Sequence, residues 1–156
     1  AGCELRALLL QSNEISSIDE DSFCSLGKLE LLDLSNNSLA HLSPAWFGHL
    51  FSLQHLHLQG NSYRDLGEGS PFSNLRNLSS LHLGNPWFST IRHGNFEGID
   101  VLDKLWIDGG NLSRYELGSL KSIKKINHMI INLSNTNIFS AIVRDLLYSV
   151  TWLEVR

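Results

Sequence analysis

One leucine pattern recurs along this chain and keeps its phase. "LRALLLQSNEISSI" begins at Leu5, "LELLDLSNNSLAHL" at Leu29 and "LQHLHLQGNSYRDL" at Leu53. "LSSLHLGNPWFSTI" begins at Leu78, "LDKLWIDGGNLSRY" at Leu102 and "INHMIINLSNTNIF" at Ile126, and a shortened "VTWLEV" begins at Val150. These starts lie 24, 24, 25, 24, 24 and 24 residues apart. Within a unit the period changes: Leu29, Leu32, Leu34, Leu39 and Leu42 are 3, 2, 5 and 3 apart. No single helix or strand holds that rhythm on one face. The backbone must therefore change direction inside every unit.

A template L-x-x-L-x-L-x-x-N-x-L at this period is the leucine-rich repeat. Each unit is one turn of a solenoid that buries its apolar face only against its neighbours. The expected class is α/β: a horseshoe with a parallel concave β-sheet and one short strand per 24-residue turn. Residues 1–156 make one such segment of about six full repeats, with no cap at either end. Apolar turns and strand edges are expected to be uncovered there.

Asn13, Asn37 and Asn61 sit where the chain leaves the strand. A buried amide at that point offers both a donor and an acceptor to backbone groups that the bend leaves unpaired. Their common phase favours such a ladder over three solvated turn residues. Phe23, Phe47, Phe72 and Phe96 recur on the far side and are expected to stack as a spine under the convex wall. Both series then degrade. The ladder position continues as Pro86, Gly110 and Ser134, and the spine position as Leu120 and Arg144. Losing the ladder predicts a change of curvature or twist near repeat four, with tolerated drift as the other reading.

Side chains alternate along a strand, so the residues flanking the inward leucines point outward. One outward column reads Ala7, Leu31, His55, Ser80, Lys104, His128, Trp152; the other reads Leu9, Asp33, His57, His82, Trp106, Ile130, Glu154. Trp106, Ile130 and Trp152 form an apolar group, a candidate ligand or partner surface unless neighbouring segments cover it. His55, His57 and His82 fall next to one another. Three imidazoles could hold zinc with water as the fourth ligand or sense pH as a cluster, but no carboxylate or Cys completes the set, and the expectation is no metal, no cofactor and a solvated polar face. Four N-x-[ST] sequons give candidate glycosylation sites at Asn36, Asn77, Asn111 and Asn132. Asn77 and Asn111 lie outside the strands and are the better candidates; Asn36 and Asn132 lie at strand exits.

Several classes are disfavoured. The net charge of −4 and the absence of a basic stripe make nucleic acid an unexpected partner. No run of 18 apolar residues spans a membrane. The opening "AGCELRALLL" has no basic n-region and does not read as a signal peptide. Cys3 and Cys24 are too few for a disulfide framework. No nucleophile-elbow, zinc-protease or phosphate-loop string occurs, so the chain is expected not to be an enzyme.

The segments "EDSFCSLGKLELLDLSNNSL", "LGEGSPFSNL", "YELGSLKSIKKINHMII" and "VTWLEV" resemble the extracellular region of the Toll-like receptors, from its N-terminal to its central part. The match follows the whole chain in order, and the irregular later repeats make it specific. The resemblance implies an innate immune receptor at the plasma membrane, extracellular side, or in endosomal and phagosomal membranes. It implies recognition of bacterial lipopeptides and lipoproteins, pairing with a co-receptor of the Toll-like receptor 1 or 6 type, and signalling through a TIR domain that this chain lacks. Membrane attachment would come only through a transmembrane helix outside these residues. The lipid pocket of that family lies mostly beyond this segment, so no pocket residue carries over. The alternative is a secreted matrix protein of leucine-rich repeats that binds other proteins.

Overall fold

The computed structural model describes residues 2–156. Strands β1 (Ala7–Leu9), β2 (Leu31–Asp33), β3 (His55–His57) and β4 (Ser80–Gly84) lie side by side. β5 (Thr90–Ile91), β6 (Val101–Gly109), β7 (Arg114–Tyr115) and β8 (Lys125–Leu133) follow, then helix α1 (Phe139–Leu146) and β9 (Val150–Val155). Among the described residues the main sheet runs β1-β2-β3-β4-β6-β8-β9, parallel throughout. Its register pairs Ala7 with Leu31, Leu31 with His55, His55 with Ser80, Ser80 with Lys104, Lys104 with His128 and His128 with Trp152. The leucine phase read from the sequence is thus the strand register.

The inward residues Leu32, Leu56, Leu81, Leu105 and Met129 are fully or almost fully buried. Opposite them Phe47, Phe72 and Phe96 stack, with ring centroids 6.1 and 6.4 Å apart. Phe23 is buried at the head of that row, and Leu120 is buried at its later end. Arg144 does not continue the spine. It is exposed on α1, which turns Ile142 and Leu146 into the core instead. The interior is packed end to end by its own side chains.

Two features depart from one short strand per turn. β6 and β8 are nine residues long, and β5 pairs with β7 in a second, two-stranded sheet. The convex side is mostly turns, with short 3-10 helices at Pro44–Phe47 and Thr136–Ile138 and only α1 as an α-helix among the described residues.

The ladder is real at two of its three sequence positions. Asn37 is buried; its Nδ2 donates to the Leu10, Leu34 and Ser35 carbonyls at 2.9, 3.1 and 3.2 Å, and the Ile15 N–H donates to its Oδ1. Asn61 donates to the Leu34 and Leu58 carbonyls and accepts from the Leu39 N–H. Asn13 departs from the expectation: it is exposed and reaches only the Leu10 and Gln11 carbonyls close by. An amide joins two turns only from a position between them. Here Asn37 supplies the bond to Leu10 that ties the first two described turns.

At repeat four the ladder passes to residues that its phase does not mark. The Tyr63 hydroxyl donates to the Leu58 carbonyl at 2.9 Å and accepts from the Gly84 N–H at 2.9 Å. Buried Asn85, one residue ahead of the ladder phase, donates to the Tyr63 carbonyl and accepts from the Trp87 N–H. Pro86 has no amide side chain for the task. A phenol, like an amide, carries a donor and an acceptor on one group. Burial pushes the Tyr63 hydroxyl well above the usual phenol range, so it stays protonated and keeps its donor role.

Candidate functional site

Both outward columns form as read. Leu9, Asp33, His57, His82, Trp106, Ile130 and Glu154 are register partners in sequence, strand by strand. Adjacent strands lie about 4.8 Å apart, so successive outward side chains of a column are neighbours.

The apolar group does not survive as a surface. Ile130 is buried at 4% exposure. Trp106 is half-buried, stacked on His82 with ring centroids 4.4 Å apart and planes 13° from parallel. The Lys104 ammonium and the Arg156 guanidinium sit 5.1 and 5.4 Å from its ring centre. Arg156 is held by Glu154 at 2.7 Å. To reach Trp106 from the end of β9 its side chain crosses β8. Only Trp152, 63% exposed, stays open. Sequence reading treats each outward residue alone and misses cover supplied two strands away.

The histidines split into separate contacts. His55 Nδ1 lies 3.1 Å from Ser80 Oγ. His57 faces His82 edge-on at 6.3 Å. His82 Nε2 lies 3.0 Å from Asp108 Oδ2. Two carboxylates therefore stand near this group, Asp33 beside His57 in register and Asp108 beside His82. Among the described residues no three His, Cys, Asp or Glu side chains converge on one point where a metal ion fits. Burial holds the His57 imidazole below its ordinary value; His82, His55 and Lys104 push the same way, and Asp33 opposes them.

A third outward column appears at the strand exits: Ser35, Gln59, Gly84, Asp108, Asn132 and Arg156. Gly84 pairs with Asp108, and Asp108 with Asn132. Gly84 leaves a gap in this column. Its φ is +98°, and a Cβ there would fall 2.2 Å from the Asp108 carbonyl oxygen, so no side chain fits. An open groove of about 550 Å³ runs along these exits. Asp108 is its charged centre, held by His82 on one oxygen and by Asn132 Nδ2 at 3.0 Å on the other. Gln59 Oε1 and Asn132 Oδ1 are buried with no hydrogen-bond partner among the described residues. Their signal in the sequence is the polar residue two places after each outward strand position, where the ladder residue drew attention instead.

The sequon asparagines fall into two environments. Asn36, Asn77 and Asn111 are exposed. Asn77 donates to the Phe51 carbonyl and Asn111 to the Pro86 carbonyl, each across to the preceding repeat. Asn132 is half-buried with its amide nitrogen on Asp108, which counts against the expectation of a glycan there.

Comparison with known proteins matches this geometry. The leucine rich repeat family covers residues 3–62, and the BspA type leucine rich repeat region (6 copies) covers residues 47–146. Toll-like receptor 2 type-1 of Gallus gallus is 77% identical over 97% of this chain and 19% of its own length. Toll-like receptor 2 of Cricetulus griseus is 49% identical over 99% of the chain and 20% of its own length. The chain spans about a fifth of the relatives it matches. Among solved structures, the TLR13–ssRNA13 complex aligns over 88% of this chain and 23% of its own, with a TM-score of 0.53 at 25% identity.

Proposed function

The chain belongs to the leucine-rich repeat family, with Toll-like receptor 2 of birds and mammals as its homologues, and from that premise we propose that it is the N-terminal to central stretch of an innate immune receptor ectodomain. The carrying observation is identity that runs along the whole chain, through the irregular later repeats as well as the regular ones. In this reading the receptor stands at the plasma membrane, extracellular side, senses bacterial lipopeptide, pairs with a receptor of the Toll-like receptor 1 or 6 type, and signals through a TIR domain elsewhere in the protein. The segment itself is a binding and positioning module, not a catalyst. No helix among the described residues is long and apolar enough to cross a membrane.

The packing supports a scaffolding share in lipid recognition. Acyl chains bind through buried apolar area, and here the core leucines and phenylalanines already fill the interior. The strand-exit groove is lined by amides, a carboxylate, Ser134, Pro86 and glycine backbone, with no long apolar side chain to enclose a hydrocarbon chain. The segment is therefore expected to hold the pocket-bearing repeats in place rather than to take up the lipid.

The test is a graft. This chain replaces the matching stretch of a full-length relative, and lipopeptide-dependent signalling is measured in cells beside a graft of equal length from an unrelated leucine-rich protein. Signalling is expected from the first graft only. A first graft that reaches the cell surface yet gives no lipopeptide response overturns the proposal.

A further inference from the structure

The strand-exit groove has a shape and a chemistry that the receptor reading leaves unused. It passes from the exit of β2, at Asn36, to the exit of β8, at Asn132. Five adjacent strands at about 4.8 Å spacing make it roughly 19 Å long. Its polar side chains are acceptors more than donors. Asp108 keeps a third of its carboxylate exposed, and Gln59 and Asn132 each carry a carbonyl oxygen with no partner. A buried polar atom left unpaired is costly, and native structures rarely keep one without a reason. Two such atoms on one groove wall call for a ligand rich in hydroxyl or N–H donors. Lys104 stands two columns away and Arg156 at the end of the same column, both beside Trp106, so this face carries positive charge as well as that of Asp108. A neutral polyol fits best.

The chain carries its own means of bringing one. Asn111 begins the sequon Asn111-Leu112-Ser113. It is exposed, lines the groove, and its Nδ2 already reaches across to the Pro86 carbonyl. A sugar joined to that nitrogen starts inside the groove, three residues along the chain from Asp108. Tethering raises the effective concentration of its hydroxyls at those acceptors far above that of a free saccharide.

We propose that the strand-exit groove is a carbohydrate site occupied by the first sugars of an N-linked glycan on Asn111. The glycan amide retains one N–H for Pro86, and the sugar hydroxyls donate to Asp108 and to the unpaired oxygens of Gln59 and Asn132. The glycan then bridges repeats whose ladder positions hold Pro86, Gly110 and Ser134. Asn132 stays unmodified: it is half-buried with its nitrogen on the Asp108 carboxylate, whereas Asn111 is exposed. This inference does not depend on lipopeptide recognition.

The experiment uses the full chain secreted from a glycosylating eukaryotic host. Site occupancy is read by mass spectrometry after enzymatic release of glycans in 18O-labelled water. Thermal midpoints are compared before and after release, in the parent and in Asp108→Ala. Expected are a modified Asn111, an unmodified Asn132, and a midpoint that falls by about 2–4 °C on release, as roughly 1 kcal/mol predicts for a chain of this size. In Asp108→Ala that fall should shrink to less than half. If Asp108→Ala does not fold, Gln59→Ala takes its place with the same comparison. An unmodified Asn111, a modified Asn132, or an equal fall in parent and variant overturns the proposal. Binding of free N-acetylglucosamine to the unglycosylated chain, with Asn111 unmodified in the host, would assign the groove to an outside saccharide and likewise overturn it.

Discussion

The first three repeats and the last three solve one problem by different means. In both, the chain leaves a strand and turns inward, and the backbone groups at the turn need partners. In the early repeats β1, β2 and β3 stop after three residues, and Asn37 and Asn61 supply the partners from their side chains. In the later repeats the ladder phase itself holds no asparagine, but Pro86, Gly110 and Ser134. There β6 and β8 run nine residues and pair with each other over most of that length, and β5 pairs with β7. Backbone has replaced side chain as the stitching. The later part is not less bonded; it is bonded in a way that frees its polar side chains for other uses. Asp108 and Asn132 are those side chains, and they line the groove together with Gln59 from the last regular repeat.

The seam between the two regimes is where the structure is most easily broken. Tyr63, Gly84 and Asn85 join them in one buried network. Gly84→Ala should have the largest effect of any single methyl added here. It demands a positive φ from an L side chain and places a Cβ 2.2 Å from a backbone oxygen of β6. Strain and overpacking together predict a loss of about 2–6 kcal/mol. Gly48→Ala in the regular region is the control: its φ is −61° and its Cβ would meet nothing closer than 3.5 Å. Denaturant midpoints that move equally in the two variants would mean that the seam is no more constrained than an ordinary turn.

The ladder itself comes next. Asn37→Ala strands the Ile15 N–H and three carbonyls, and should cost about 1–3 kcal/mol. Asn135→Ala, off the ladder phase in the later region, loses only the cap of a short 3-10 helix at the Asn137 N–H. Its cost should be nearer the low end of about 0.5–2 kcal/mol. Equal losses in the two variants would remove the distinction between side-chain and backbone stitching.

Tyr63→Phe separates the hydroxyl from the ring. The ring remains against Phe88, 5.8 Å away and edge-on, while the Gly84 N–H loses its acceptor. A loss of about 1–2 kcal/mol is expected. Combined with Asn61→Ala, the effect should differ from the sum, because both side chains donate to the Leu58 carbonyl. Strict additivity in a double-mutant cycle would show that Tyr63 is not part of the ladder.

The sequence made the regular half legible because repetition exposes phase. Strand register, both outward columns, the core leucines and the spine from Phe47 to Phe96 could be read by sliding one unit along the next. What repetition does not record stayed hidden. Tyr63 and Asn85 act off phase. Arg156 reaches across β8 to Trp106, a contact between residues 50 apart whose strands are not adjacent. Gly84 is set by its positive φ and its close approach to the Asp108 backbone, and neither leaves a motif in the sequence. Asn13 carries the ladder residue type and phase, yet its amide stays exposed and bonds only within its own turn.

The smallest expected effect lies on the border of the two regions, at His57 in the last regular strand. Burial and the neighbouring His82, His55 and Lys104 hold its imidazole below the ordinary value of 6.5 in the folded chain. The unfolded chain therefore binds the proton more readily, and between the two values it carries more protons than the folded one. By linkage, stability then rises with pH. The contribution is fully present above about pH 6.5, where both states are neutral, and is lost as pH falls through 6.5 toward the lower folded value. Asp33 opposes the shift and keeps the effect modest. Urea midpoints measured from pH 7.5 down to pH 5 should fall more steeply in the parent than in His57→Gln, which has no proton to bind. Removing Asp33 by Asp33→Asn should steepen the parent's fall, because the one group favouring the imidazolium is gone. A parent and a His57→Gln variant with parallel profiles would show that the regular region meets the irregular one without a buried histidine between them.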